Sequence, residues 1–260
     1  MAHNSLLWEQ LFYPGECLKG AMLTSPFSTV IFTPAVASIA HFFYTRRANA
    51  TGIAAAGGSF GGVVFPLMLQ ALFPRIGFRY ATLVMALICC ILLLLANILI
   101  RSRLPPRPGG SVLPDFRILK HKVFTLTTLG VFFMEWGLFV PLSYISSYAL
   151  KVGINASLSY QLLAVVNAGS VFGRWLPGYV ADKVGRFNTM IITVVMCLVC
   201  VLGLWLTAGG NVAQLCVFGV GFGFASGSNI SLTPVCVGQL CDTEVFGRWY
   251  ATCYTIVSFG

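Results

Sequence analysis

Charge is what this sequence has least of. Only 9% of its 260 residues are Asp, Glu, Lys or Arg, against about 25% in a typical soluble domain. So little charge cannot cover a water-facing surface, which excludes an ordinary soluble enzyme or binding module. Acidic residues are the scarcer kind, seven against sixteen basic ones. The resulting net charge of +9 does not indicate a nucleic-acid partner, because the basic residues sit between apolar stretches. Histidine is nearly absent: His3, His41 and His121 are scattered. No His cluster, metal-ligand spacing or nucleophile–base pairing is found, so no metal, no cofactor and no enzyme activity are expected. The first twenty residues are not expected to act as a signal peptide, since Glu9 and Glu16 interrupt the apolar run and no basic start precedes it. Cysteine is not scarce, with nine, but Cys89, Cys90, Cys200 and Cys216 lie within apolar runs. There a thiol packs as a small hydrophobe, unlike the polar, secreted scaffolds that disulfides hold together. Cys197-x-x-Cys200 has redox spacing, yet it is mid-span without metal partners and reads as packing.

Long apolar runs are what the sequence does have. About 20 apolar residues cross a bilayer core of about 30 Å. Successive runs of that length are Ala21 to Phe43, Ala48 to Phe73, Phe78 to Ile100, Val123 to Ala149, Leu158 to Val180, Thr189 to Ala208 and Val212 to Leu240. An eighth begins at Trp249 and has about half a crossing by Gly260. The fold class is therefore an all-α polytopic membrane protein, with about seven full transmembrane helices plus a partial eighth.

The connections carry the topology. One set of alternate loops holds Arg46 and Arg47, then Arg101, Arg103, Arg107, Arg117, Lys120 and Lys122, then Lys183 and Arg186, then Arg248. The opposite set holds Arg75, Arg79 and Lys151. The richer set is expected in the cytoplasm. Residues 101–122, with four prolines and Asp115 as their lone acid, read as a linker between two helix groups. In the second run, Ala54, Gly58 and Gly62 stand four apart, spacing that lets two helix backbones approach. The four glycines from Gly219 to Gly227, with Pro234, suggest a bent or tilted seventh helix.

The stretch Asn167 to Arg186 reads NAGSVFGRWLPGYVADKVGR, ending in Gly178-x-x-x-Asp182-x-x-Gly185-Arg186. This spacing resembles the cytoplasmic loop signature of the major facilitator superfamily of secondary transporters. The residues before it resemble the fungal branch of the monocarboxylate-transporter-like family. Tyr44-x-Arg46-Arg47-Ala48-x-Ala50-x-Gly52 is similar to the fifth-helix entry of monocarboxylate transporters. The resemblance implies a twelve-helix fold in two halves. It places residues 1–100 as the last helices (about four to six) of the N-terminal bundle, 101–122 as the basic central loop, and 123–260 as helices seven to the start of eleven. The expected function is transport of small organic molecules, monocarboxylate-like anions among them, by alternating access, in the plasma membrane. The expected partners are the substrate, the lipid bilayer and, as a further candidate, a proton. The alternatives are a seven-helix receptor, and a fragment that transports nothing on its own.

Single residues carry the finer expectations. Arg174 lies eight residues before Asp182, about 12 Å up a helix. An arginine at that depth needs a cavity or a partner. The resemblance implies that it binds a substrate carboxylate; the alternative is snorkelling or internal pairing. A carboxylate one turn earlier would complete the family's pair, but Ser170 stands there. Glu135 is the one acid in the middle of a span, either a proton site, a counter-charge to Arg174, or a protonated structural group. Asn167 is a weaker substrate candidate and, like Asn229, fits bonding between helices. The resemblance implies a gate at Gly178, Asp182, Gly185 and Arg186, in which the turn makes a charge contact with a neighbouring helix end. The alternative is a short basic turn.

Overall fold

The computed structural model describes residues 45–100 and 114–259, together with Val36, Ser38, Ile39, Phe42 and Phe43. Most of the first expected span, and residues 101–113 of the linker, lie outside the described residues. Every long element within them is a helix.

Helix α1 runs Arg47–Leu99, and its 53 residues are too many for one straight crossing. Gly77, at φ 76° and ψ 167°, divides it. Only glycine takes that backbone without strain, and Pro74 just before it already weakens the helical hydrogen-bond ladder. The two expected spans are therefore two helices meeting at a kink at Gly77, where the sequence places a short turn. Asp115 then accepts from the Arg117 N–H at 3.0 Å and starts a 3₁₀ turn, Phe116–Lys120. Helix α2 is Lys122–Lys151. Helix α3, Ala156–Val184, opens with the Asn155 side chain accepting from the Ser157 N–H. Helix α4, Arg186–Cys200, runs on into a π turn, Val201–Trp205. Gly209 and Gly210, both at positive φ, turn the chain into α5, Val212–Val237, which the Asn211 side chain caps. Helix α6 is Phe246–Val257.

Four helical segments are long and apolar enough to cross a membrane on those grounds alone: α1, α2, α4 with its π turn, and α5. Helix α3 is 29 residues long and is not among them. It carries Asn167, Arg174, Asp182 and Lys183, and it packs most extensively of all, against α5 on one side and α1 on the other.

Glycine makes that packing possible. On α3, Gly169 and Gly173 face the Val220 and Phe224 carbonyls of α5. On α5, Gly223 and Gly227 face Val166 and Ser170 of α3. A Cβ at any of these positions would strike the opposite helix, so the backbones touch directly. These glycines of α5 thus serve as notches for α3, and the helix runs from Val212 to Val237. Beside this seam lies a core of Ile145, Leu162, Val166, Phe218 and Phe222, with Trp205, Phe218 and Phe222 stacked at 5.7 and 5.2 Å.

Among the described residues, Arg47, Arg186 and Arg248 of the basic loops gather at one end. Asp115 meets Arg248 at 3.9 Å, and its N–H donates to the Thr252 hydroxyl. His121 packs on Trp249, and α1 begins beside Asp182 and Gly238. At the other end Gln70 donates to the Ser157 hydroxyl at 3.3 Å, and Gly210 abuts Val152.

Candidate functional site: the seam between α1 and α3

Asp182 lies in the last turn of α3 and points at the start of α1. Its two carboxylate oxygens accept from the backbone N–H groups of Ala48 at 3.2 Å and Asn49 at 3.0 Å. The first N–H groups of a helix have no partner within it, and that end carries partial positive charge. No side chain next to α1 in sequence supplies a cap. Asp182 supplies it from 133 residues away. Two neighbours make the reach possible. Gly178 sits where a Cβ would lie 2.7 Å from the Ala48 carbonyl oxygen, so the helices cross in contact there. Gly185, at φ 110°, breaks the chain between α3 and α4 immediately after the cap. Arg186 opens α4 and is partly buried near Arg47.

Further along the seam, polar groups of α3 fit into small positions of α1. Arg174 donates from Nη1 to the Ala55 carbonyl at 2.7 Å, with Gly58 leaving room for the guanidinium. Its Nε is buried and has no hydrogen-bond partner. Ser59 and Ser170 share a hydrogen bond of 2.6 Å, with Ser59 only 1% exposed. Asn167 donates to the Leu163 carbonyl of its own helix and rests its amide against Gly62. The face of α1 that meets α3 is thus Gly52, Ala55, Ser59 and Gly62. Ala54, grouped with Gly58 and Gly62 in the sequence, is exposed. Steps of three and four follow the 3.6-residue helical period, whereas steps of four alone drift off the face.

Glu135 is not brought to this seam. Its electrostatic neighbours are Tyr250, Cys253 and Tyr254 of α6. No ion pair joins it to Arg174, whose guanidinium donates instead to the Ala55 carbonyl. Asn229 is fully buried between α5 and α4, accepting from Thr193 at 3.0 Å and donating toward the Cys197 sulfur. That is an interhelical bond. Cys197 and Cys200 are buried free thiols, and no metal-binding group of His, Cys, Asp or Glu occurs among the described residues.

A carboxylate seated on the positive end of another helix, at a turn spelled Gly-x-x-x-Asp-x-x-Gly-Arg, is a specific arrangement, and comparison with known proteins agrees. The profile of the Major Facilitator Superfamily matches residues 18–260. The chain belongs to this superfamily. Its relatives there include an MFS-type transporter of an Ophiocordyceps species, 38% identical over 84% of this chain and 48% of that protein. A riboflavin transporter of Saccharomyces cerevisiae is 36% identical over 89% of this chain and 49% of its own length. An aspyridones efflux protein of Emericella nidulans is 38% identical over 79% and 42%. The chain spans about half the length of the curated relatives it matches. Superfamily membership and the apolar helices make this an integral, multi-pass membrane protein.

Two residues of the site escaped the sequence reading. Ser59 paired with Ser170 was not anticipated, because a hydroxyl in a membrane helix bonds equally well to its own backbone. Arg47 reads in the sequence as part of a basic loop and of the fifth-helix entry, with no partner assigned, yet it is 6% exposed.

Proposed function

We propose that this protein moves small organic molecules across a membrane by alternating access, with the α1–α3 seam as part of the boundary that opens and closes. The observation that carries this reading is the Asp182 cap on α1. It joins a segment before the basic linker to one after it. In the proposed division, residues 1–100 belong to the first bundle and 123–260 to the second. Rocking of two bundles about a midplane site separates their contacts at one end while closing the other. A charge resting on a helix end suits such a contact. It is directional, and it exchanges readily for water at the membrane surface. Gly178, Gly185 and Arg186 act with Asp182 in this gate: one permits the contact, one ends the helix, and one begins the next.

The substrate class we favour is an organic anion. Arg174 supports it, with one arm on the Ala55 carbonyl and Nε still without an acceptor. A carboxylate offers a planar pair of oxygens to such a fork. Asn167 lies two turns away on the same helix. A relative named for riboflavin indicates that the range need not stop at small carboxylates. Glu135, among the tyrosines of α6, is the candidate for proton coupling, and the plasma membrane is the proposed site.

Uptake and efflux of radiolabelled organic acids by the protein in proteoliposomes tests the reading. Arg174→Met should reduce transport of anions at least tenfold while leaving transport of neutral compounds in place. Equal loss for both classes would reject the anion assignment. Asp182→Asn should slow turnover with substrate affinity little changed.

A further inference from the structure

Arg47 is the first residue of α1, next to the N–H groups that Asp182 caps, and it reaches in a different direction. Its guanidinium enters the junction between α5 and α6. Nη1 donates to the Gly238 carbonyl at 3.3 Å, and the guanidinium carbon lies 4.4 Å from the centre of the Phe246 ring. Gly238 ends α5, where carbonyls lack partners within the helix and the partial charge is negative. A cation is the fitting occupant. The junction is also shaped for it, because a Cβ on Gly238 would run into the guanidinium. Arg46, one residue earlier, is exposed. Nη2 of Arg47 is buried without a partner. The contact is therefore incompletely satisfied, which suits one that must release.

We propose that Arg47 is a second latch on this end of α1, independent of Asp182. The start of α1 is held from two sides by opposite charges on opposite helix ends. A carboxylate from α3 sits on the amino end of α1, and a guanidinium from α1 sits on the carboxyl end of α5. In the transport reading above, on which the functional consequence rests, both must part when this end opens. The latch itself does not depend on the substrate.

Cys241 reports on it. The thiol lies three residues past Gly238, half-buried, with its sulfur toward the Val237 carbonyl. Burial pushes it up to about 11, opposed by the nearby Arg47 charge. It therefore reacts slowly with thiol reagents while the junction is closed.

The test is labelling of the membrane-embedded protein, in vesicles of both orientations, with a membrane-impermeant methanethiosulfonate, reading the peptide that contains Cys241 by mass spectrometry. Arg47→Met and Gly238→Ala should each speed Cys241 labelling about tenfold, with Cys197 still protected. Phe246→Leu should give a smaller acceleration. Combining Arg47→Met with Asp182→Asn should multiply the separate effects, as independent contacts require. Unchanged Cys241 labelling in Gly238→Ala, which keeps the Arg47 charge in the protein, overturns the latch. So does equal acceleration at Cys197, which would mean general loosening. Faster Cys241 labelling in a protein that moves no organic solute would uphold the latch and reject the transport reading.

Discussion

The two parts of α1, before and after the kink at Gly77, follow one another in the chain and meet opposite surroundings. In the first, Arg47, Ala48, Thr51, Gly52 and Ser59 are buried against α3 and α5. In the second, Leu87 is 62% and Ile98 72% exposed, and none of the most apolar 18-residue window of α1 is buried. For α5, the corresponding figure is 67%. In water, the greasier stretch would be the one inside. In a bilayer, lipid solvates leucine as well as protein does, so aliphatic side chains give no reason to pack. Association comes from close backbone approach and from polar groups that lipid cannot satisfy. The first part of α1 has both, in Gly52, Ser59 and Gly62 with their partners on α3. The second is suited to face lipid or further helices through shape alone.

Substitutions can erase that contrast or heighten it. The largest effect is expected at Gly52, where a side chain would overlap the Arg174 carbonyl. Gly52→Leu should destabilise by about 3 kcal/mol, the upper range for overpacking, seen as a fall in thermal midpoint of the detergent-solubilised protein. Asp182→Ala should cost about 1–2 kcal/mol through loss of the cap. Faster hydrogen exchange confined to residues 47–50 would check it, and exchange spread along all of α1 would contradict a local cap. Gly57 faces open space, with nothing within 4 Å of a built Cβ. Gly57→Ala should therefore raise stability by up to about 1 kcal/mol from helix propensity alone, where the same change at Gly62 would press on Asn167. Leu87→Ala, on the exposed part, should change the midpoint least, by less than about 0.5 kcal/mol. A larger fall there would mean that the second part of α1 packs against protein after all.

Much of the site was legible before any coordinates. The spacing of Gly178, Asp182, Gly185 and Arg186 reads as a short charged turn, and the resemblance adds a charge contact with a neighbouring helix end; the Asp182 carboxylate does rest on the start of α1. Gly178, named as part of the gate, turns out to be the point where α3 and α1 cross in contact. Arg174 was expected to have a partner, since an arginine at that depth costs about 2.5–3.5 kcal/mol on insertion scales unless satisfied. Its partner, the Ala55 carbonyl, was not foreseeable. Any helix carbonyl can accept, and sequence does not say which one comes near. A counter-charge to Arg174 is one of three sequence readings of Glu135, since both are charges in mid-span. They lie on different contacts, one toward α6 and one toward α1.

The sequence by itself determined the class, the helices, the gathering of Arg47, Arg186 and Arg248 at one end and the turn after α3. These follow from composition, run length and backbone preference, all local properties. Tertiary structure alone decided which helices share a face and which of two adjacent arginines is used. Arg46 and Arg47 have identical chemistry and almost identical sequence surroundings. One is exposed, and the other is buried on Gly238 and Phe246. The 100° step between neighbours on a helix, set against a glycine 191 residues away, separates them.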